Sequence, residues 1–102
     1  MMKILLVCFA GMSTSIMMKK MKESAAKKKI DLDINAVPLS KFQDNLDGVN
    51  AILLGPQVRY AVKDVEKTTE GKIPVMVINS VDYGMMNGDK VLDETIKMVK
   101  DK

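Results

Sequence analysis

Histidine is absent from this chain of 102 residues, and that absence removes several chemistries at once. A histidine phosphocarrier, a serine–histidine triad and most zinc sites all need an imidazole. Arginine occurs once, at Arg59, and aromatic residues make up only 4% of the chain. Nucleic-acid recognition draws on clustered arginines and stacking aromatics, so a net charge of +3 spread over scattered lysines does not point there. The densest basic run, Lys27-Lys28-Lys29, falls near the end of a helical pattern, where cations suit the helix dipole. Cys8 is the single cysteine, so no internal disulfide forms and a reducing cytoplasm is the expected setting.

Long apolar runs are lacking too. The run before Cys8 covers residues 4–7, shorter than the apolar core of about 7–15 residues in a secretory signal. Val7 also stands where a signal cleavage site would have a small residue. No stretch approaches the roughly 20 apolar residues of a membrane span. The expectation is a cytoplasmic protein that inserts into no membrane. At 47% hydrophobic, residues 1–102 supply one modest core and a single domain.

What is present alternates strand with helix. Residues 3–7 form a continuous apolar strand of the kind buried on both faces of a parallel sheet. Residues 13–28 repeat Met17, Met21 and Ala25 at helical spacing, with lysines between. Residues 30–37 alternate apolar with polar, as an edge strand with one wetter face does. A short segment to Leu46 follows. Residues 51–54 are a second fully apolar strand, closed by Gly55-Pro56-Gln57. Pro56 suits the first position of the next helix, which carries Val58, Ala61, Val62 and Val65 to near Gly71. A fourth strand spans 73–78, a loop 79–88, and a last helix points Val91, Leu92, Ile96 and Val99 inward. Most of the 10 methionines fall on helix faces as core filler. Such an order implies an α/β domain with a parallel sheet covered on both faces. Ligands of such sheets sit beyond the carboxyl ends of the strands, where Cys8 and Gly55-Pro56-Gln57 both lie.

The turn after Cys8 is rich in small and hydroxyl residues: Phe9-Ala10-Gly11-Met12-Ser13-Thr14-Ser15. A free cysteine is most often a small buried hydrophobe. Here Gly11 lets successive amides converge into an anion nest, and three hydroxyls in a row exceed what one helix cap needs. The same amides that favour a thiolate can hold a phosphoryl group. Redox exchange lacks a resolving cysteine. Phosphoester hydrolysis resembles the low-molecular-weight tyrosine phosphatases, whose loop runs cysteine, five residues, arginine; Thr14 stands at that arginine position. Without the bidentate guanidinium, transition-state charge is less well held. Asp82-Tyr83 superficially resembles the general-acid segment of those enzymes, although a lone loop aspartate is more often a turn residue. A phosphoryl relay fits the residues best. A Cys8 hydrolase and a non-catalytic phosphate- or partner-binding domain remain as alternatives.

Cys8 to Ser15 resembles the active-site loop of the IIB components of the lactose/cellobiose-type sugar phosphotransferase system. Leu54-Gly55-Pro56-Gln57 and Tyr83-Gly84-Met85-Met86-Asn87-Gly88 resemble two further segments of that family, so the likeness covers essentially the whole chain. The resemblance implies a single three-layer α/β domain with a four-stranded parallel sheet in order 2-1-3-4, similar to low-molecular-weight tyrosine phosphatases. It also implies a phosphotransferase without metal or cofactor. Cys8 would accept phosphoryl from a phosphohistidine of a IIA protein and pass it to a cellobiose-like, β-linked disaccharide held by the IIC permease. The amides of Phe9, Ala10, Gly11, Met12, Ser13, Thr14 and Ser15 would cradle the group. The implied strand order brings Gln57 near the loop, with Arg59, Tyr60 and Asp82 as candidates for a supporting role. Phe9 is larger than the residue common in relatives, and Asn79 stands where aspartate is more often found.

Overall fold

The computed structural model describes residues 2–8 and 12–100, with only the backbone for 12–14. Four parallel strands run in the order β2-β1-β3-β4. They are β1 (Met2–Cys8), β2 (Leu32–Pro38), β3 (Ala51–Leu54) and β4 (Val75–Val77). The helices are α1 (Met12–Lys27), α2 (Val62–Thr69), α3 (Ser80–Gly84) and α4 (Gly88–Lys100), with 3-10 segments at Leu39–Asn45 and Pro56–Ala61. The resemblance implied this order, and the apolar patterning explains it. β1 and β3 are central and buried on both faces, while β2 and β4 lie at the edges.

Alternation along the strands separates the core into two halves. Ile4, Leu6, Ile34 and Leu53 pack with Met17, Met21, Ala25, Tyr83, Val91 and Leu92, on the face covered by α1, α3 and α4. Leu5, Val7, Ile52 and Leu54 pack on the other face with Phe42, Val58, Ala61 and Val65. Met17 and Met21 are fully buried, as the four-residue spacing requires; Met85, 73% exposed, is not core filler. Thr95 is a buried residue that polarity alone would have placed outside. Its hydroxyl donates to the Val91 carbonyl at 2.8 Å, which satisfies it within the helix.

Three elements differ from expectation. The helix after Gly55 does not run straight from Pro56: it begins as a 3-10 turn, breaks at Val58 (φ −117°, ψ 21°) and becomes α-helical at Val62. That break lets both Val58 and Ala61 reach the core. The fourth strand is only three residues long, because Pro74 has no N–H for the ladder, although its carbonyl still accepts from Ile52 at 2.9 Å. The expected loop 79–88 contains α3, started by Asn79, whose Oδ1 accepts from the amides of Val81 (2.8 Å) and Asp82 (3.4 Å). Asn79 is therefore a helix cap rather than an acid/base group. Asn79→Ala is expected to cost about 1 kcal/mol, read as a lowered urea midpoint.

α1 and α4 are clamped together at their surface. Lys28 Nζ lies 3.0 Å from Asp89 Oδ1 and also pairs with Asp93, while the Ser24 hydroxyl donates to Asp89. The lysine run thus joins two helices instead of only capping one. The Ser24 hydroxyl, and then Lys28, hold the Asp89 carboxyl below the usual aspartate range. Asp93, and then Asp89, hold Lys28 above its ordinary value. Asp89 is depressed on folding, so its stabilisation is present above its unfolded value and lost as pH falls through its lowered folded value. The Lys28 contribution has the opposite sense, lost as pH rises through its raised folded value. Asp89→Asn is expected to flatten the acid limb below about pH 4, checked by urea midpoints at pH 6 and pH 3. The difference should shrink in high salt, because the pair is exposed.

Candidate active site

Cys8 is the last residue of the central strand β1. By alternation it faces the same side as Ile4 and Leu6, toward α1. It is buried, and its thiol points at the Val37 carbonyl of β2, 3.9 Å away, as a weak donor. α1 starts at Met12 with no acidic residue in its first turn. The first amides of a helix have no intrahelical acceptor and carry partial positive charge. The residues on either side of the loop are therefore a thiol at a strand end and a helix N-terminus without an acidic residue in its first turn. Phe9, Ala10 and Gly11, and the side chains of Met12, Ser13 and Thr14, lie outside the described residues. Ser15 is exposed on α1.

Across the sheet from Cys8 stands Gly55. Val7 pairs with Leu54 in register, so the next step places Cys8 opposite Gly55, and the Gly55 amide donates to the Val7 carbonyl at 2.9 Å. Gly55 has φ −62° and ψ 151°, a conformation open to any residue. Its lack of a side chain is a matter of space: a Cβ there would lie 2.7 Å from Gln57 Oε1 and 3.8 Å from Tyr83 Cε2. Gln57, Arg59, Tyr60, Ser80 and Tyr83 line an open cleft of about 640 Å³ beside this point.

The structure thus places Gln57 on the 3-10 segment just after β3, the strand next to Cys8, and puts Arg59 and Tyr60, both exposed, on the cleft rim. Asp82 is placed differently. Its buried carboxylate pairs with Lys90 of α4 at 3.4 Å, so it ties α3 to α4. Tyr83 and Gly55 were not singled out as site residues from sequence. Their signals were the place of Gly55 at the carboxyl end of a strand and the membership of both in segments resembling the family. Among the described residues, no group of three or more acidic, histidine or cysteine side chains could hold a metal ion. Among them also, no helix is long and apolar enough to cross a membrane.

The family model described as PTS system, Lactose/Cellobiose specific IIB subunit, matches residues 3–94. The chain belongs to that family. It is accordingly a phosphotransferase, a IIB phosphoryl carrier of the lactose/cellobiose class. It is 42% identical over 95 residues to a galactose-specific EIIB component of Lactococcus lactis subsp. cremoris, covering 87% of this chain and 88% of the relative. The same identity and coverage hold for a cellobiose-specific EIIB component of Lactococcus lactis subsp. lactis. Among solved structures, a cellobiose-specific IIB component of Borrelia burgdorferi superposes with a TM-score of 0.81 at 41% identity, over 99% of this chain and 94% of that one. The lactose-specific IIB domain of Streptococcus pneumoniae shares the fold with a TM-score of 0.84 at 18% identity, over 95% and 96%.

Proposed function

We propose that Cys8 is the residue phosphorylated in this IIB carrier, with a phosphohistidine of a IIA protein as donor. The hydroxyl of a β-linked disaccharide, presented at the cytoplasmic face by a IIC permease, is the acceptor. The observation that carries this is the position of Cys8 at the carboxyl end of the central strand, just before the first-turn amides of α1. The Cys8 thiolate attacks phosphorus in line; an S–P bond forms as the donor's P–N bond breaks, and the imidazole keeps the electron pair. A sugar oxygen then attacks the same phosphorus, the S–P bond breaks and the thiolate is regenerated, the hydroxyl proton passing to solvent. The amides of Phe9 to Ser15 hold the spreading equatorial charge.

The partners must touch the protein at this edge, and the exposed surface suits that. Among the described residues, the large exposed apolar side chains are Ile16, Tyr60, Val81 and Met85. They sit on the elements that follow β1, β3 and β4, around the carboxyl end of the sheet. A cellobiose-like substrate is supported by the cellobiose-specific relatives of Borrelia burgdorferi and Lactococcus lactis subsp. lactis. The galactose-specific relative at equal identity keeps the sugar a matter for assay.

The test is a reconstituted system containing phosphorylated cellobiose-class IIA, its IIC in membranes and this protein, with disaccharide phosphorylation measured. Sugar phosphate formed only when this protein is present supports the relay. Inorganic phosphate released in place of sugar phosphate, together with cleavage of an aryl phosphate, would make the chain a hydrolase.

A further inference from the structure

We propose that Gly55 is a socket for the Gln57 carboxamide, which makes Gln57, on the 3-10 segment that follows β3, a phosphoryl-binding residue for Cys8. The inference rests on phosphorylation of Cys8 and adds a donor from outside the Cys8 loop.

Three observations converge. Cys8 and Gly55 fall opposite each other one step beyond the last register pair, and neighbouring strands lie about 4.8 Å apart. Gly55 continues the alternation of Leu53, which packs on the α1 face that Cys8 also faces. The space where its side chain would stand is taken by Gln57 Oε1, 2.7 Å from the Cβ position, with the Tyr83 ring behind at 3.8 Å.

A solvent-exposed glutamine has many rotamers and loses entropy on being fixed. This one is folded back over its neighbour, beside the nucleophile. Among the described residues the carboxamide has no hydrogen-bond partner. The oxygen is the end set against Gly55, Gln57 lines the cleft, and the amide nitrogen is the donor assigned to the phosphoryl group. A neutral N–H donor there meets a phosphoryl oxygen on Cys8 without trapping the group as a guanidinium would. A carrier has to release what it binds, and the lone arginine, Arg59, stays out on the rim.

The test is the single-turnover rate of phosphoryl transfer from phosphorylated cellobiose-class IIA to Cys8. It compares wild type, Gln57→Ala, Gly55→Ala, the double variant and Gln57→Glu, with thermal unfolding followed alongside. Gly55→Ala leaves an allowed backbone and evicts only the carboxamide. Each single alanine variant is expected to lower the maximal rate by about 10- to 100-fold, with the donor concentration for half-maximal rate unchanged. The double variant should be no slower than Gln57→Ala, since one removes the group and the other its seat. Gln57→Glu should be slower still, its carboxylate repelling the phosphoryl group.

Transfer by Gln57→Ala at the wild-type rate overturns the proposal. So does a double variant whose loss is the product of the two single losses. A wild-type protein that accepts no phosphoryl group removes the Cys8 reading itself, a result distinct from both.

Discussion

Cys8→Ser is expected to abolish phosphoryl transfer, lowering kcat/KM by at least about 10³-fold, the scale on which covalent enzymes respond to loss of their nucleophile. A serine hydroxyl attacks only when a base takes its proton, and the chain has no histidine to do so. Among the described residues the nearby carboxylate that resembled a general acid, Asp82, is committed to Lys90. An oxygen ester formed on the serine would also be a poorer phosphoryl donor to a sugar hydroxyl than a thiophosphate. The fold should be unaffected, because the smaller side chain occupies the same strand end and its hydroxyl can donate to the Val37 carbonyl that the thiol now faces. Sugar phosphorylation in the reconstituted system, with unfolding midpoints as control, separates loss of chemistry from loss of structure.

Gly88→Ala is expected to be the most destabilising glycine replacement among the described residues. A Cβ on Gly88 would lie 2.6 Å from Lys20 Cβ, 2.8 Å from the Lys20 carbonyl carbon and 2.8 Å from the Met21 amide nitrogen. Two of those atoms are backbone, so no rotamer change relieves the overlap and α4 must back away from α1. Met21, Val91 and Leu92 share one core cluster beneath that contact, so the shift would loosen their packing. Overpacking of this kind costs about 2–3 kcal/mol, a fall in Tm of roughly 10–20 °C for a domain near 100 residues. Gly84→Ala is the matched control: nothing lies within 4 Å of its Cβ position and its backbone is ordinary. Calorimetry on both variants should show a large loss at Gly88 and none at Gly84. Equal small changes would mean the helices do not approach as closely as described.

The features legible in the sequence are those that depend on local pattern. Continuous apolar runs marked β1 and β3 as buried strands, alternation marked β2 as an edge, and Met17, Met21 and Ala25 marked the buried face of α1. Cys8 was legible as a strand-end thiol because a glycine- and hydroxyl-rich turn follows it. What escaped depends on contacts between distant segments or on single torsions. α3 is one and a half turns long and announced only by Asn79, too little periodicity to register against a loop. The approach of Gly88 to Lys20 joins residues far apart in sequence, and nothing local demands it. Gly55 and Gln57 were legible as neighbours ending a strand. That the carboxamide folds back into the place of a missing side chain follows from a rotamer that no composition or spacing encodes. Asp82 was legible as a loop aspartate with a superficial likeness to a general acid; its pairing with Lys90 was not, because that partner comes from the next helix.

The most direct test of a Cys8 relay is intact-mass analysis after mixing the protein with phosphorylated cellobiose-class IIA, with peptide mapping of the adduct and Cys8→Ser alongside. The account predicts a gain of one phosphoryl group on wild type, located on Cys8, and none on the variant. An adduct on another residue, or an equal gain by Cys8→Ser, would contradict it.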